Sequence, residues 1–182
     1  TSTVKLDRLG DLVNAMWFEG DNLTDNLRGT VFDFYIGGKL IDSQTFEYGS
    51  DIWSIYMAET GSKSDTINNQ VSTSDTGFCP MHFFFCDNGM FLPLIAIQHH
   101  EVEVRIKWGP HITVNTAIQC YANYVYLDTD ERVAFTEKEH LMLITQVQKN
   151  TQETDRGVTK GFDLRYFNHP VKAIFFGFEA KN

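Results

Sequence analysis

The chain is short of positive charge. Against 24 Asp and Glu it sets 15 Lys and Arg, a formal charge of −9 over 182 residues. That balance repels phosphate backbones and supplies none of the counterion release that drives nucleic-acid binding, so no direct nucleic-acid partner is expected. Long apolar runs are missing too. None reaches the roughly 18 to 20 residues of a membrane-spanning helix, and nothing resembles a signal peptide, so no membrane insertion is expected. Cysteine is sparse and odd in number. Cys79, Cys86 and Cys120 sit among apolar neighbours, which reads as buried free thiols in a reducing compartment rather than a disulfide frame. No nucleophile elbow, HExxH or glycine-rich phosphate cradle occurs, and Gly37-Gly38 sits in a hairpin pattern rather than at a helix N-terminus. The sequence therefore assigns no catalytic, cofactor-binding or metal residue, and it does not read as an enzyme.

What is present is apolar and aromatic mass. Hydrophobic residues make up 42% of the chain and aromatics 14%, with 15 Phe and 7 Tyr, enough for one domain with a sizeable core and weighted toward β-structure. Strand signals fall at Thr1 to Leu6, Leu12 to Glu19, Thr30 to Ile36 and Lys39 to Asp42, the last two joined by Gly37-Gly38. Between Ser50 and Glu59 the apolar period changes to three and four, which predicts one short helix capped by Ser50 or Asp51. Thr60 to Gly77 reads as an exposed loop.

Further strands are expected at Phe78 to Cys86, Ile112 to Leu127, Leu141 to Gln148, Phe162 to Tyr166 and Val171 to Phe178, with Asp128 capping a helical turn over Glu131 to Phe135. Phe91 to Trp108 reads as one long strand. It is continuously apolar at first, then sets Val102, Val104, Ile106 and Trp108 on one face and Glu103, Arg105 and Lys107 on the other. In Val171 to Phe178 both faces are apolar. With each shielded Phe worth about 2 to 3 kcal/mol, this strand implies a covering layer, from a second domain or another subunit.

His99, His100 and Glu101 invite a metal reading. Adjacent strand residues point to opposite faces, so the two histidines cannot ligate together, and a structural role is the plainer expectation. Asp128, Asp130 and Glu131 lack the rest of a calcium loop and read as helix capping. Asn22-Leu23-Thr24 matches the glycosylation sequon, but the free-thiol compartment makes it a chance match.

Four segments occur in a telling order: Pro93-Leu94-Ile95-Ala96-Ile97 with His100-Glu101-Val102, Leu127-Asp128-Thr129-Asp130-Glu131-Arg132, Leu143-Ile144-Thr145-Gln146-Val147-Gln148, and Asn168-His169-Pro170. With Arg8, Gly10-Asp11-Leu12 and the hairpin Ile36-Gly37-Gly38-Lys39-Leu40-Ile41-Asp42, they resemble the major capsid proteins of the nucleocytoplasmic large DNA viruses. The resemblance runs from about Arg8 to about Pro170 and departs from the family mainly in loops and at His99. It implies an all-β, antiparallel jelly-roll β-sandwich of eight-stranded type with one short helix.

On that pattern residues 1–182 form a single jelly-roll domain, a fragment of a longer double jelly-roll chain whose first strand lies upstream of Thr1. The resemblance further implies a homotrimeric, pseudo-hexagonal capsomer of an icosahedral shell, assembled in the host cytoplasm. The expected partners are neighbouring capsomers and minor capsid proteins, and the expected location is the virion. A second reading is a glycan-binding, lectin-like jelly-roll module, recognised by exposed Trp or Tyr and by loss of binding on substitution of Trp17 or Trp108. A third, a cupin-like metalloenzyme, would carry stoichiometric metal.

Overall fold

The computed structural model describes residues 1–53, 56, 76–87, 89–113, 117–155 and 157–177. The chain divides into two compact units, Thr1–Gln146 and Val147–Asn182.

The first unit is an antiparallel sandwich. One sheet has the order β1 (Ser2–Lys5), β7 (Val102–Lys107), β3 (Val31–Ile36), β4 (Lys39–Thr45), every pair antiparallel. The second is built on β2 (Leu12–Asp21). Along one edge β2 pairs with β8 (Ile118–Val125), and on the other with β5 (Thr76–Pro80) and the short β6 (Leu92–Pro93). Phe18 of β2 and Phe32 of β3 meet across the sandwich at 5.2 Å between ring centroids. Phe34 lies 5.1 Å from Phe83 and 5.2 Å from Phe85, all three rings buried. Each such ring contributes about 2 to 3 kcal/mol by leaving water.

Local chemistry sets the connections. Gly37 and Gly38 have φ of 58° and 76°, the two positive values that a tight reversal matched to strand twist demands. A four-residue helix, α1 (Leu23–Asn26), follows β2. At α2 (Thr129–Glu137), the Asp128 carboxylate accepts the Glu131 backbone N–H at 2.9 Å while the Glu131 carboxylate accepts that of Asp128, a capping box. This bears out the Asp128 expectation and extends the turn to nine residues.

A π-helical turn, Tyr48–Trp53, occupies the start of the stretch expected to be helical. Apart from Tyr56, the rest of that stretch lies outside the described residues, as does nearly all of the loop expected from Thr60 to Gly77.

Several expected strands are corrected. Phe91 to Trp108 is not one strand. Between β6 and β7 the chain runs through turns closed by Ala96 N–H to Pro93 O at 3.1 Å and Ile97 N–H to Leu94 O at 3.2 Å. Leu92 in β6 and Leu94 in the first turn are both buried, and an apolar run records burial rather than backbone shape. His99 and His100 consequently lie in a turn and bend ahead of β7, not on a strand.

The strand from Phe78 stops at Pro80, and Phe84–Cys86 is a 3-10 turn that buries Phe84 and Phe85. Ile112 to Leu127 shortens to β8, with residues 114–116 outside the described set. Described residues of Leu141 to Gln148 and Val171 to Phe178 form no ladder, and Phe162 to Tyr166 holds a 3-10 turn at Leu164–Tyr166. Alternation specifies a face, but a strand also needs a neighbouring backbone that takes its N–H and C=O groups in ladder register, and at Leu141 to Gln148 a side chain rather than the backbone reaches a strand, Gln146 donating to Ile41 O of β4.

Candidate assembly surface

Motif residues from three segments meet at one corner of the first unit. Asp11, buried at the start of β2, accepts the Leu127 backbone N–H at 2.7 Å and Arg132 Nε at 3.0 Å. The Leu127 hydrogen bond, reinforced by Arg132, holds the Asp11 carboxyl below its usual range. The Asp11 backbone N–H donates to Val125 O and its carbonyl accepts from Ile95. Arg8 donates to Ile97 O at 3.0 Å and also to Gln98 O. Three segments far apart in sequence are thus tied into one frame, and the polar motif residues act structurally.

His100 stacks its imidazole on the hairpin. A Cβ on Gly37 would lie 2.7 Å from His100 Nδ1, and Gly37 N–H donates to Glu101 O at 2.8 Å. The Glu101 carboxylate takes Lys5 Nζ at 2.9 Å. Among the described residues no three His, Cys, Asp or Glu side chains gather in a metal-binding cluster. Asn22 stands exposed with φ of 50°, while Leu23 of the sequon is buried. Cys79, Cys86 and Cys120 are free thiols; burial pushes the first two up to about 12 and Cys120 to about 11.

The outer face of the β1-β7-β3-β4 sheet is charged and internally matched. Lys107 Nζ lies 2.7 Å from the buried Asp33 carboxylate, which also accepts Ser43 Oγ at 2.6 Å. Arg105 donates to Glu103 through Nε at 2.8 Å and lies 4.1 Å over the Tyr35 ring. Such a face is content in water.

Apolar exposure is concentrated elsewhere. Late in the first unit, Leu141 and Leu143 are 92% and 90% exposed. In the second unit, Tyr166, Val171, Ile174 and Phe176 are exposed, Phe176 at 67%. That unit is pinned by polar bonds: Asn168 N–H to Gln148 Oε1 at 2.9 Å, Asn150 Nδ2 to Asp163 O at 3.0 Å, and an Asp163–Arg165 ion pair at 2.6 Å. In each unit, apolar residues of this size left in water are the kind that a covering layer shields.

Comparison with known families places the chain. Residues 32–128 match the family described as major capsid protein, N-terminus. The chain belongs to that family. The major capsid protein of Pyramimonas orientalis virus is 31% identical over 204 aligned residues, spanning 94% of this chain and 50% of that protein. Capsid protein 1 of Acanthamoeba polyphaga mimivirus is 34% identical, over 59% of this chain and 21% of that protein. The chain spans half or less of the length of these capsid relatives. Among solved structures, PBCV-1 VP54, fitted into a cryo-EM reconstruction of the virophage Sputnik, has a TM-score of 0.62 at 23% identity, over 80% of this chain and 43% of that one. That likeness establishes the antiparallel jelly-roll fold of the capsid family.

The capsid motifs are legible in the sequence, but what joins them is not. Asp11 and Arg132 were each visible, yet nothing local to either residue announces a partner more than a hundred positions away.

Proposed function

We propose that the chain is the N-terminal jelly roll of a double jelly-roll major capsid protein, a structural component rather than an enzyme. Three copies of the full protein form a pseudo-hexagonal capsomer that tiles the icosahedral shell of a large DNA virus. Its partners are further copies of itself, neighbouring capsomers and minor capsid proteins. It resides in the virion and assembles in the host cytoplasm.

The observation that carries the reading is the family match over residues 32–128, which takes in the hairpin and the first motif segment and reaches the start of the second. The exposed Leu141, Leu143 and Phe176 support it, because a subunit that buries apolar faces only on assembly leaves such residues uncovered when alone. Full-length protein expressed in insect cells and imaged by negative-stain electron microscopy tests the proposal. Three-fold particles with a hexagonal outline are expected; uniform single-subunit particles would remove the capsomer reading.

A further inference from the structure

We infer that the outer face of the β5–β2–β8 sheet is a contact site for neutral carbohydrate. Three aromatic residues, one from each strand, form a row across it. Trp17 of β2 lies beside Tyr121 of β8, ring centroids 5.6 Å apart and planes within 14°, and Phe78 of β5 follows at 6.2 Å from Trp17. The ladder fixes this row: Trp17 is opposite Tyr121 on one edge of β2, and Phe78 is opposite Glu19 on the other. Met16, Phe18 and Cys79, which alternate with these residues, fill the core. The row is therefore not needed to close the sandwich, and Tyr121 is 40% exposed.

The polar groups beside the rings are held in place by one another. Trp17 Nε1 donates to Glu19 Oε1 at 2.9 Å, Tyr121 OH to Gln119 Oε1 at 2.5 Å, and Asn123 Nδ2 to Asn14 Oδ1 at 2.8 Å. Each bond fixes a ring edge or an amide while leaving the Gln119 and Asn14 amide N–H groups to donate and the second Glu19 oxygen to accept. The exposed ring carbon of Tyr121, stacked on Trp17 and flanked by oriented amides and a carboxylate, suits a pyranose, whose C–H face packs on aromatic carbon while its hydroxyls take polar partners.

Charge and size select this occupant. None of the three strands contains Lys or Arg, so phosphate, sulfate and sialic-acid carboxylates find no cation there and meet Glu19 instead. Each aromatic side chain offers about 150 to 250 Å² at most, so three partly covered rings fall well short of the roughly 800 Å² per partner of a stable protein interface. A sugar of a few residues needs far less.

The test is calorimetric titration of the full-length protein with α-1,4- and β-1,4-linked glucose hexasaccharides, with a sialylated and a sulfated oligosaccharide as charged comparators. At least one neutral hexasaccharide should saturate, and Tyr121→Ala and Trp17→Ala should each weaken it about ten-fold or more. Tyr35→Ala, on the outer face of the other sheet, should leave binding unchanged. Trp17→Phe keeps a ring at that position and should lose less than Trp17→Ala; with Tyr121→Ala, it decides the matter if Trp17→Ala does not fold. No saturation by either neutral sugar, stronger binding of a charged one, or binding unmoved by both Tyr121→Ala and Trp17→Phe would overturn the inference. None of these outcomes bears on capsomer formation.

Discussion

Asp11 and Arg132 meet at 3.0 Å across 121 residues of sequence, and the same carboxylate receives the Leu127 N–H. The pair ties the start of β2 to the entrance of α2, so either substitution should loosen both. Asp11→Asn and Arg132→Ala should each lower the denaturation midpoint, and the double variant should lose less than the sum of the two. The Asp11 pKa is depressed in the folded state, so its contribution is present above the usual carboxylate range and disappears as pH falls through the lowered value. Chemical denaturation of the four proteins at two pH values checks both points.

The Gly37-Gly38 hairpin separates two costs of a side chain. Gly38 has φ of 76° with nothing within 4 Å of a built Cβ, so Gly38→Ala should cost about 1 kcal/mol from backbone conformation alone. Gly37→Ala adds contact with the His100 imidazole at 2.7 Å and should cost more. Introducing His100→Ala should recover the difference but not the backbone part. Equal losses for the two alanine variants would contradict the packing described.

His82 reports on acid stability. Burial lowers its pKa to about 4, with Trp53 5.6 Å away between ring centroids and Gly49 against the ring. The neutral imidazole is the folded form. Its contribution is complete above the unfolded value near 6.5 and falls away as pH drops toward 4, by about 2 kcal/mol after allowance for partial solvent screening. His82→Gln should flatten that part of the stability profile.

The hairpin and the capping box were legible because each is specified locally, by two glycines in one case and by Asp128 and Glu131 three residues apart in the other. Phe91 to His100 was not, because Leu92 is buried in the two-residue β6 and Leu94 in the turn after it, and an apolar run reads the same in either. Leu141 to Gln148 shows the converse. Its alternation is plain, yet a ladder depends on a neighbouring backbone that no pattern within the segment encodes. The aromatic row was visible only as single residues until the register put Trp17 opposite Tyr121.

On the proposed function, the exposed apolar residues imply different behaviour for residues 1–182 alone and for the full-length protein. Residues 1–182 expressed alone should bind a hydrophobic dye strongly or aggregate, since Leu141, Leu143 and Phe176 face water. The full-length protein should bind the dye weakly. In the isolated chain Leu141→Ala and Phe176→Ala should change stability little, within about 0.5 kcal/mol, and in the full-length protein they should weaken assembly. Dye titration and thermal melts of both forms check this.

The central claim is that this chain is part of a subunit that exists as a trimer. Sedimentation velocity of the full-length protein at micromolar concentration tests it most directly. The account predicts one species at three times the subunit mass, persisting in high salt because the contacts are apolar. A stable monomer under the same conditions would contradict it.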